Sequence, residues 1–228
     1  MIKTVLWDID GTLLDFQKSE SYAIKKCFEI FNLGECTDEM IKRYSQINRK
    51  YWERLERGEI TKPQVLRERF EEFFASEGIL FDRVDAFNNE YQVRLGDKVF
   101  FCDNALETVK ALVGKVRQYA VTNGTLVAQS RKLTLSGLSD IFDGAFISDK
   151  IGFEKPSAEF FDCVRENIGG FEKDSVIIVG DSLTSDMQGG NNAGIICCWY
   201  NPHQKTVATD VKIDYEINDL LQVIDLIS

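Results

Sequence analysis

With 228 residues, 44% of them hydrophobic and 28% charged, the chain can build one sizeable core, or a core plus a modest second unit. Its formal charge of −10 argues against a DNA or RNA polymer as partner and repels small anions at long range, so an anionic substrate would need local positive charge from a metal, Lys or Arg. No apolar stretch approaches the roughly 18–20 residues that cross a bilayer, and MIKTVLWDID has neither an apolar h-region nor a small-residue cleavage site, so a cytoplasmic protein without a membrane partner is expected.

The first apolar run, TVLWD at 4–8, ends in Asp8-Ile9-Asp10-Gly11-Thr12. Two carboxylates this close repel each other, which a merely structural turn has no reason to tolerate. From about residue 17 to residue 98 the pattern turns helical and amphipathic. SYAIKKCFEIFN and MIKRYSQINRKYWERL repeat apolar residues every three or four positions. A third helix is predicted from Lys62-Pro63 through VLRERFEEFFASEG, and a fourth over DRVDAFNNEYQVRLG. An insertion of this length is too long for a plain crossover. It predicts a helical subdomain, 17–98, over a core made of 1–16 and 99–228. Of its aromatics (Tyr22, Phe28, Tyr44, Trp52, Phe70, Phe73, Phe74 and Tyr91), most are expected to form its own core and one or two to line a pocket. Phe16, Asn48, Arg49 and Trp52 are the candidates for substrate selection.

Beyond residue 98, helix-like stretches (NALETVKALVGK, VAQSRKLTLSGL, PSAEFFDCVRENIG, SDMQGGNNAG) alternate with unbroken β-rich runs (QYAVTN, GAFISD, SVIIVGD, IICCWY). Such runs suit strands buried on both faces, and the alternation predicts a doubly wound α/β fold with a parallel sheet. Gly189, Gly190 and Gly194 do not have dinucleotide-loop spacing and read as close helix packing.

Three strand-like runs turn polar at their carboxyl ends: VLWDIDGT, YAVTNG and IIVGDS. Ligands of open α/β sheets bind just outside those ends, so the fold should gather Asp8, Asp10, Thr122, Asn123, Asp181 and Ser182 into one crevice. One histidine, His203, leaves little scope for a Ser–His or Cys–His couple. Six scattered cysteines show no zinc-ligand spacing and read as buried reduced thiols. Acid–base chemistry must then rest on carboxylates or a lysine. Asp8, Asp10 and Asp181 form an oxygen-rich set suited to one Mg²⁺, which would relieve their repulsion and supply the missing positive charge. Gly11 would allow the turn that brings both acids of the pair to the site.

These motifs resemble, in order, those of the haloacid-dehalogenase-like hydrolase superfamily. Asp8-Ile9-Asp10-Gly11-Thr12 matches the first, Thr122-Asn123 the second, Lys155 in FEKPSAEFF the third, and Gly180-Asp181-Ser182 with Asp186 the fourth. The helical insertion matches the family's cap. The resemblance implies that Asp8 is the nucleophile, forming an aspartyl-phosphate, and that Asp10 exchanges protons with leaving alcohol and water. It also implies that Thr122, the backbone near Asn123 and Lys155 hold the phosphoryl group, and that Mg²⁺ sits on Asp8, the Asp10 main-chain oxygen and Asp181. Asp186 would orient waters or Lys155, and Ser182 would support by hydrogen bonding. VGDSLTSDMQGGNNAGIICCWYNP is similar to the bacterial pyrimidine 5′-nucleotidase branch, which implies a nucleoside monophosphate substrate. A sugar-phosphate phosphatase or phosphomutase is the alternative. A 2-haloacid dehalogenase fits less well, because Asp10 is present. A monomer or weak homodimer is expected.

Overall fold

The computed structural model describes residues 1–206 and 210–227. Its elements run, in chain order, β1 (Thr4–Trp7), α1 (Phe16–Phe31), α2 (Asp38–Glu56), α3 (Lys62–Ser76), α4 (Val84–Leu95), α5 (Ala105–Ala111), β2 (Arg117–Thr122), α6 (Leu126–Ser136) and α7 (Leu138–Ile141). There follow β3 (Gly144–Ile147), α8 (Ser148–Ile151), α9 (Ala158–Asn167), β4 (Val176–Gly180), a π-turn (Leu183–Met187), α10 (Gln188–Ala193), β5 (Ile196–Tyr200), β6 (Tyr215–Ile217) and α11 (Gln222–Ile227).

Among the described residues one parallel sheet forms, in the order β3-β2-β1-β4-β5-β6. Strand order reverses beside β1, which pairs with both β2 and β4: Trp7 lies opposite Ala120 on one side and Val179 on the other. Every residue of β1 and β4 is buried, which explains why these strands read as continuous apolar runs instead of alternating. Trp7, Val5 and Ile177 pack with α5 and α11 on one face, while Leu6, Ile178 and Phe160 pack with α9 on the other. The two-sided helical cover is that of a doubly wound α/β protein.

The four long helices α1–α4 follow the first strand, and the sequence fixes their ends. Asp15 accepts from the Lys18 amide to open α1, and Asn32 in left-handed geometry closes it. Thr61 and Gln64 form a capping box around Pro63 at the start of α3. Phe28, Tyr44, Phe70, Phe73, Phe74, Phe87 and Tyr91 interlock in a core separate from those of the sheet. Phe70 is its centre, with ring centroids 5.2 Å from Tyr44, 5.0 Å from Phe87 and 5.2 Å from Tyr91. Tyr22 instead lies under the Lys98 ammonium, and Trp52 faces the cleft.

Two features escape the sequence pattern. β6 is only three residues long and half exposed at the sheet edge, so it carries no apolar run. The segment predicted as one helix over 185–194 is a π-turn leading into a short helix. Gly189 and Gly190 are packing glycines, as expected: a Cβ on either would lie 2.5 Å from the Phe161 ring or the Cys197 sulfur, respectively. Among the described residues all six cysteines are unpaired, and no helix is long and apolar enough to cross a membrane.

Truncating Phe70 to alanine removes a ring that its neighbours on α2 and α4 enclose. It should cost about 3–5 kcal/mol in denaturant-induced unfolding, and a loss below about 1 kcal/mol would contradict the packing described.

Candidate active site

The carboxyl ends of β1, β2 and β4 deliver the polar residues to one crevice. The Asp8 amide donates to the Val179 carbonyl at 3.0 Å, extending the β1–β4 ladder one residue past the strand. Asp8 is thereby set beside Asp181, which follows β4 directly and whose carbonyl accepts from the Trp199 indole at 3.0 Å. The Asp8 carboxylate is held at both oxygens: Lys155 Nζ donates to Oδ1 at 2.8 Å and Thr12 Oγ1 to Oδ2 at 3.0 Å.

Lys155 is 1% exposed and uses its ammonium fully. It also donates to Asp186 Oδ1 at 2.6 Å and to the Val121 carbonyl at 2.8 Å. The π-turn places Asp186, since the amides of Asp186 and Met187 both donate to the Ser182 carbonyl. The other Asp186 oxygen accepts from the Ser182 amide at 3.1 Å. π-Bulges of this kind recur at functional sites because they re-aim one side chain. Ser182 Oγ accepts from the Ser185 amide at 3.1 Å and so caps the turn.

Asp8, Asp181 and Asp186 bring carboxylate oxygens within 4.8 Å of one another. Asp8 and Asp186 are buried, while Asp181 opens into the cleft. Two glycines admit this crowd. A Cβ on Gly11, whose φ is +99°, would sit 2.7 Å from an Asp181 oxygen, and one on Gly180 would sit 2.3 Å from the Asp186 carboxylate. Burial pushes the Asp8 carboxyl up to about 7, and the Asp186 charge adds to that against the pull of Lys155. Although its side chain reaches the cleft, Asp181 is hemmed in by enough protein that loss of water holds it well above the usual carboxylate range, with Asp8 and Asp186 reinforcing it. For Lys155, burial works downward, but Asp186 and Asp8 more than offset it, so its pKa lies above the ordinary lysine value. Asp8 and Asp186 share one buried ammonium, with Asp181 beside them. The remaining negative charge and hard oxygen donors fit a divalent cation such as Mg²⁺.

Thr122, the last residue of β2, is buried, and its Oγ1 accepts from the Gly124 amide at 3.3 Å. The Asn123 side chain clasps the Lys155 backbone from both sides, donating to its carbonyl at 2.8 Å and accepting from its amide at 2.7 Å. That side chain therefore positions the Lys155 segment. The Asp10 carboxylate is tied to α6, where it accepts from Lys132 at 2.6 and 2.8 Å and from Gln129 at 2.6 Å.

A cavity of about 380 Å³ joins these groups to the helices above, where Phe16, Glu20, Asn48, Arg49 and Trp52 line it. Glu20 is 1% exposed and accepts from Asn48 Nδ2 at 2.8 Å and from the Ser45 hydroxyl. Asn48 Oδ1 in turn accepts from Arg69 at 2.7 Å. Several contacts join the α1–α4 helices to the sheet domain. Thr125 donates to Gln92 at 2.8 Å, Lys62 donates to the Gly124 carbonyl at 3.2 Å and to Ser148 at 2.9 Å, and the Thr184 hydroxyl donates to Glu56.

Sequence reasoning missed Thr12, Glu20, Gln129 and Lys132. Gln129 and Lys132 stand three apart on a predicted helix and so share a face, a signal that could have placed both at the site. Lysine on an amphipathic helix otherwise reads as solvated.

The family model described as haloacid dehalogenase-like hydrolase matches residues 2–194. The chain belongs to that family of hydrolases. It is 34% identical to HAD-hydrolase YfnB of Bacillus subtilis, over 99% of this chain and 95% of that protein. Identity to pyrimidine 5′-nucleotidase PynA of Streptococcus pneumoniae is also 34%, covering 98% and 95% of the two chains. Pyrimidine 5′-nucleotidase YjjG of Escherichia coli is 26% identical, covering 98% and 96%. The crystal structure of YfnB bound to magnesium superposes with a TM-score of 0.93 at 33% identity, covering 100% of this chain and 99% of that one.

Burial pushes the Glu20 carboxyl up to about 7, against the hydrogen bonds from Ser45 and Asn48. The folded protein thus binds this proton more tightly than the unfolded chain does, so stability from this group is full below about pH 4.5 and is lost as pH rises toward 7. Glu20→Gln should remove a pH-dependent loss on the order of 3 kcal/mol between those limits. Thermal melts at intervals from pH 4.5 to 8 test this, and a slope unchanged in the variant would contradict it.

Proposed function

We propose that the chain is an Mg²⁺-dependent phosphomonoesterase working through an aspartyl-phosphate on Asp8, with pyrimidine nucleoside monophosphates as substrates and residues 17–98 as its cap. The observation that carries this reading is the Asp8 carboxylate itself. It is held between Lys155 and Thr12 at a strand tip, with Asp181 beside it. A cavity of about 380 Å³, within the size range of small-ligand pockets, opens above it. The names of PynA and YjjG support the nucleotide choice.

Asp8 Oδ attacks phosphorus while the bond from phosphorus to the ester oxygen breaks, and that oxygen takes a proton from Asp10. Water then attacks the same phosphorus, gives its proton to Asp10 and releases Asp8 with inorganic phosphate. Thr122 and the main chain around Asn123 donate to phosphoryl oxygens, and Lys155 keeps the Asp8 carboxylate oriented for attack. Mg²⁺, held by Asp8, the Asp10 carbonyl and Asp181, would neutralise charge on the phosphoryl oxygens. Asp186 holds Lys155 in place, and Ser182 supports the turn that presents Asp186. The second acid, Asp10, serves proton transfer to an alcohol and has no task in displacing a halide, which weighs against the dehalogenase reading.

The test is a phosphate-release panel with Mg²⁺ over UMP, dUMP, dTMP, purine monophosphates and sugar phosphates. Pyrimidine nucleotides should be turned over best. Chelation should abolish activity, and Asp8→Asn should lower kcat by at least about 10³-fold. Turnover of sugar phosphates with the pyrimidine nucleotides untouched would overturn the substrate assignment. Activity surviving in Asp8→Asn would overturn the nucleophile.

A further inference from the structure

Lys132 is fully buried on α6, and its ammonium hydrogen-bonds both oxygens of the Asp10 carboxylate, at 2.6 and 2.8 Å. Gln129, one turn earlier on the same face, adds a third hydrogen bond to Oδ2 at 2.6 Å. The ammonium also lies 5.1 Å from the centre of the Phe16 ring, at the cavity wall. Such a pair is an expensive structural device on the lysine's side, because the ammonium is withdrawn from water to meet a carboxylate that still lines the cavity.

The local backbone is shaped to make this reach possible. α6 starts at the Thr125 cap, immediately after Thr122-Asn123-Gly124. Gly124 has no Cβ, and one placed there would fall 2.2 Å from Gln129 Nε2, in the space through which the amide reaches Asp10. The Thr125 hydroxyl is itself bonded to Gln92 of α4 at 2.8 Å. The element that carries Gln129 and Lys132 is therefore fixed at once to the strand-2 loop, to the first-strand acid pair and to the helices above.

We propose that Lys132, assisted by Gln129, is a positioning residue that fixes where the Asp10 carboxylate stands relative to Asp8. This rests on the phosphomonoesterase reading given above. Asp10 lies on an irregular segment two residues beyond Asp8, and among the described residues its side-chain hydrogen bonds all come from α6. Without Lys132 the carboxylate would lose two of the three hydrogen bonds and the one cation bonded to it among the described residues, and its direction would be left to the loop. Steps that need Asp10 would then slow, while attack of Asp8 on an ester whose leaving group needs no proton would not.

The experiment compares wild type, Lys132→Met, Gln129→Ala and Asp10→Asn with Mg²⁺ on two esters. dUMP releases a poor, proton-requiring alcohol, and p-nitrophenyl phosphate releases a stable phenolate. Lys132→Met should lower kcat on dUMP about 100-fold, in the range of general acid–base contributions. It should leave the single-turnover release of nitrophenolate within about threefold of wild type and let acid-stable phosphoenzyme accumulate during steady turnover. Gln129→Ala should show the same pattern at about a tenth of the effect, and Asp10→Asn should exceed both. Equal losses on the two esters without phosphoenzyme build-up would overturn the assignment and make Lys132 a structural residue. If Lys132→Met does not fold, as judged by circular dichroism, Gln129→Ala decides by the same ratio. A wild type that hydrolyses neither ester would overturn the phosphomonoesterase reading, and this proposal with it. Normal wild-type turnover with the wrong ratio in the variants would overturn this proposal alone.

Discussion

Repulsion among carboxylates governs this molecule. Asp8, Asp181 and Asp186 are brought together by strands and a turn that have no local need of acids, with Lys155 as the one ammonium hydrogen-bonded within the cluster. Loss of water around them raises Asp8 and Asp181, and each acid makes the next harder to ionise. A fold that spends stability on such a cluster is poised for positive charge from outside, and a hard divalent ion is the species its oxygens suit. On the proposed reading, an acidic protein with an anionic substrate needs that charge at one point only, and the tips of the parallel sheet are that point.

The rest of the architecture keeps that cluster in register. The strand reversal beside β1 opens a crevice at the tips of β1 and β4. Gly11 and Gly180 leave room for carboxylates where a side chain would collide. Asn123 ties the second motif to the third through the Lys155 backbone, and the π-turn ties the fourth motif to Lys155 through Asp186. The motifs are thus one hydrogen-bonded unit, so the loss of any single member should disturb its neighbours, and the effects of paired substitutions should not add. Above the unit, the four-helix layer has its own aromatic core, which Ala128 of α6 joins, and makes polar contacts at Thr125, Gly124, Ser148 and Thr184.

Much of this was legible in the chain, and for physical reasons. Buried parallel strands have to be apolar throughout, so TVLW and VIIVG announce themselves, and the polar residue that ends each run marks the crevice. The long helices carried their caps in sequence, as Thr61-Lys62-Pro63-Gln64 shows. What stayed hidden depends on three-dimensional partners. Lys132 looks like any lysine on an amphipathic helix until Asp10, 122 residues away in sequence, is placed against it. Glu20 looks solvated until Ser45, Asn48 and Arg69 close over it. β6 has too few residues, and too exposed, to leave a pattern. The π-turn arises because Asp186 is drawn to Lys155 and to the Ser182 amide, a tertiary demand that helix propensity does not encode.

On the proposed reading, the crowded aspartates accept a divalent cation and thereby free Asp8 to act on phosphorus. The most direct measurement is a crystal structure grown with Mg²⁺ and beryllium fluoride, a mimic of the acyl-phosphate. Beryllium should be bonded to an Asp8 oxygen, and a magnesium ion should touch both Asp8 and Asp181. Fluoride density on any other side chain, or magnesium seated away from these two aspartates, would contradict that reading.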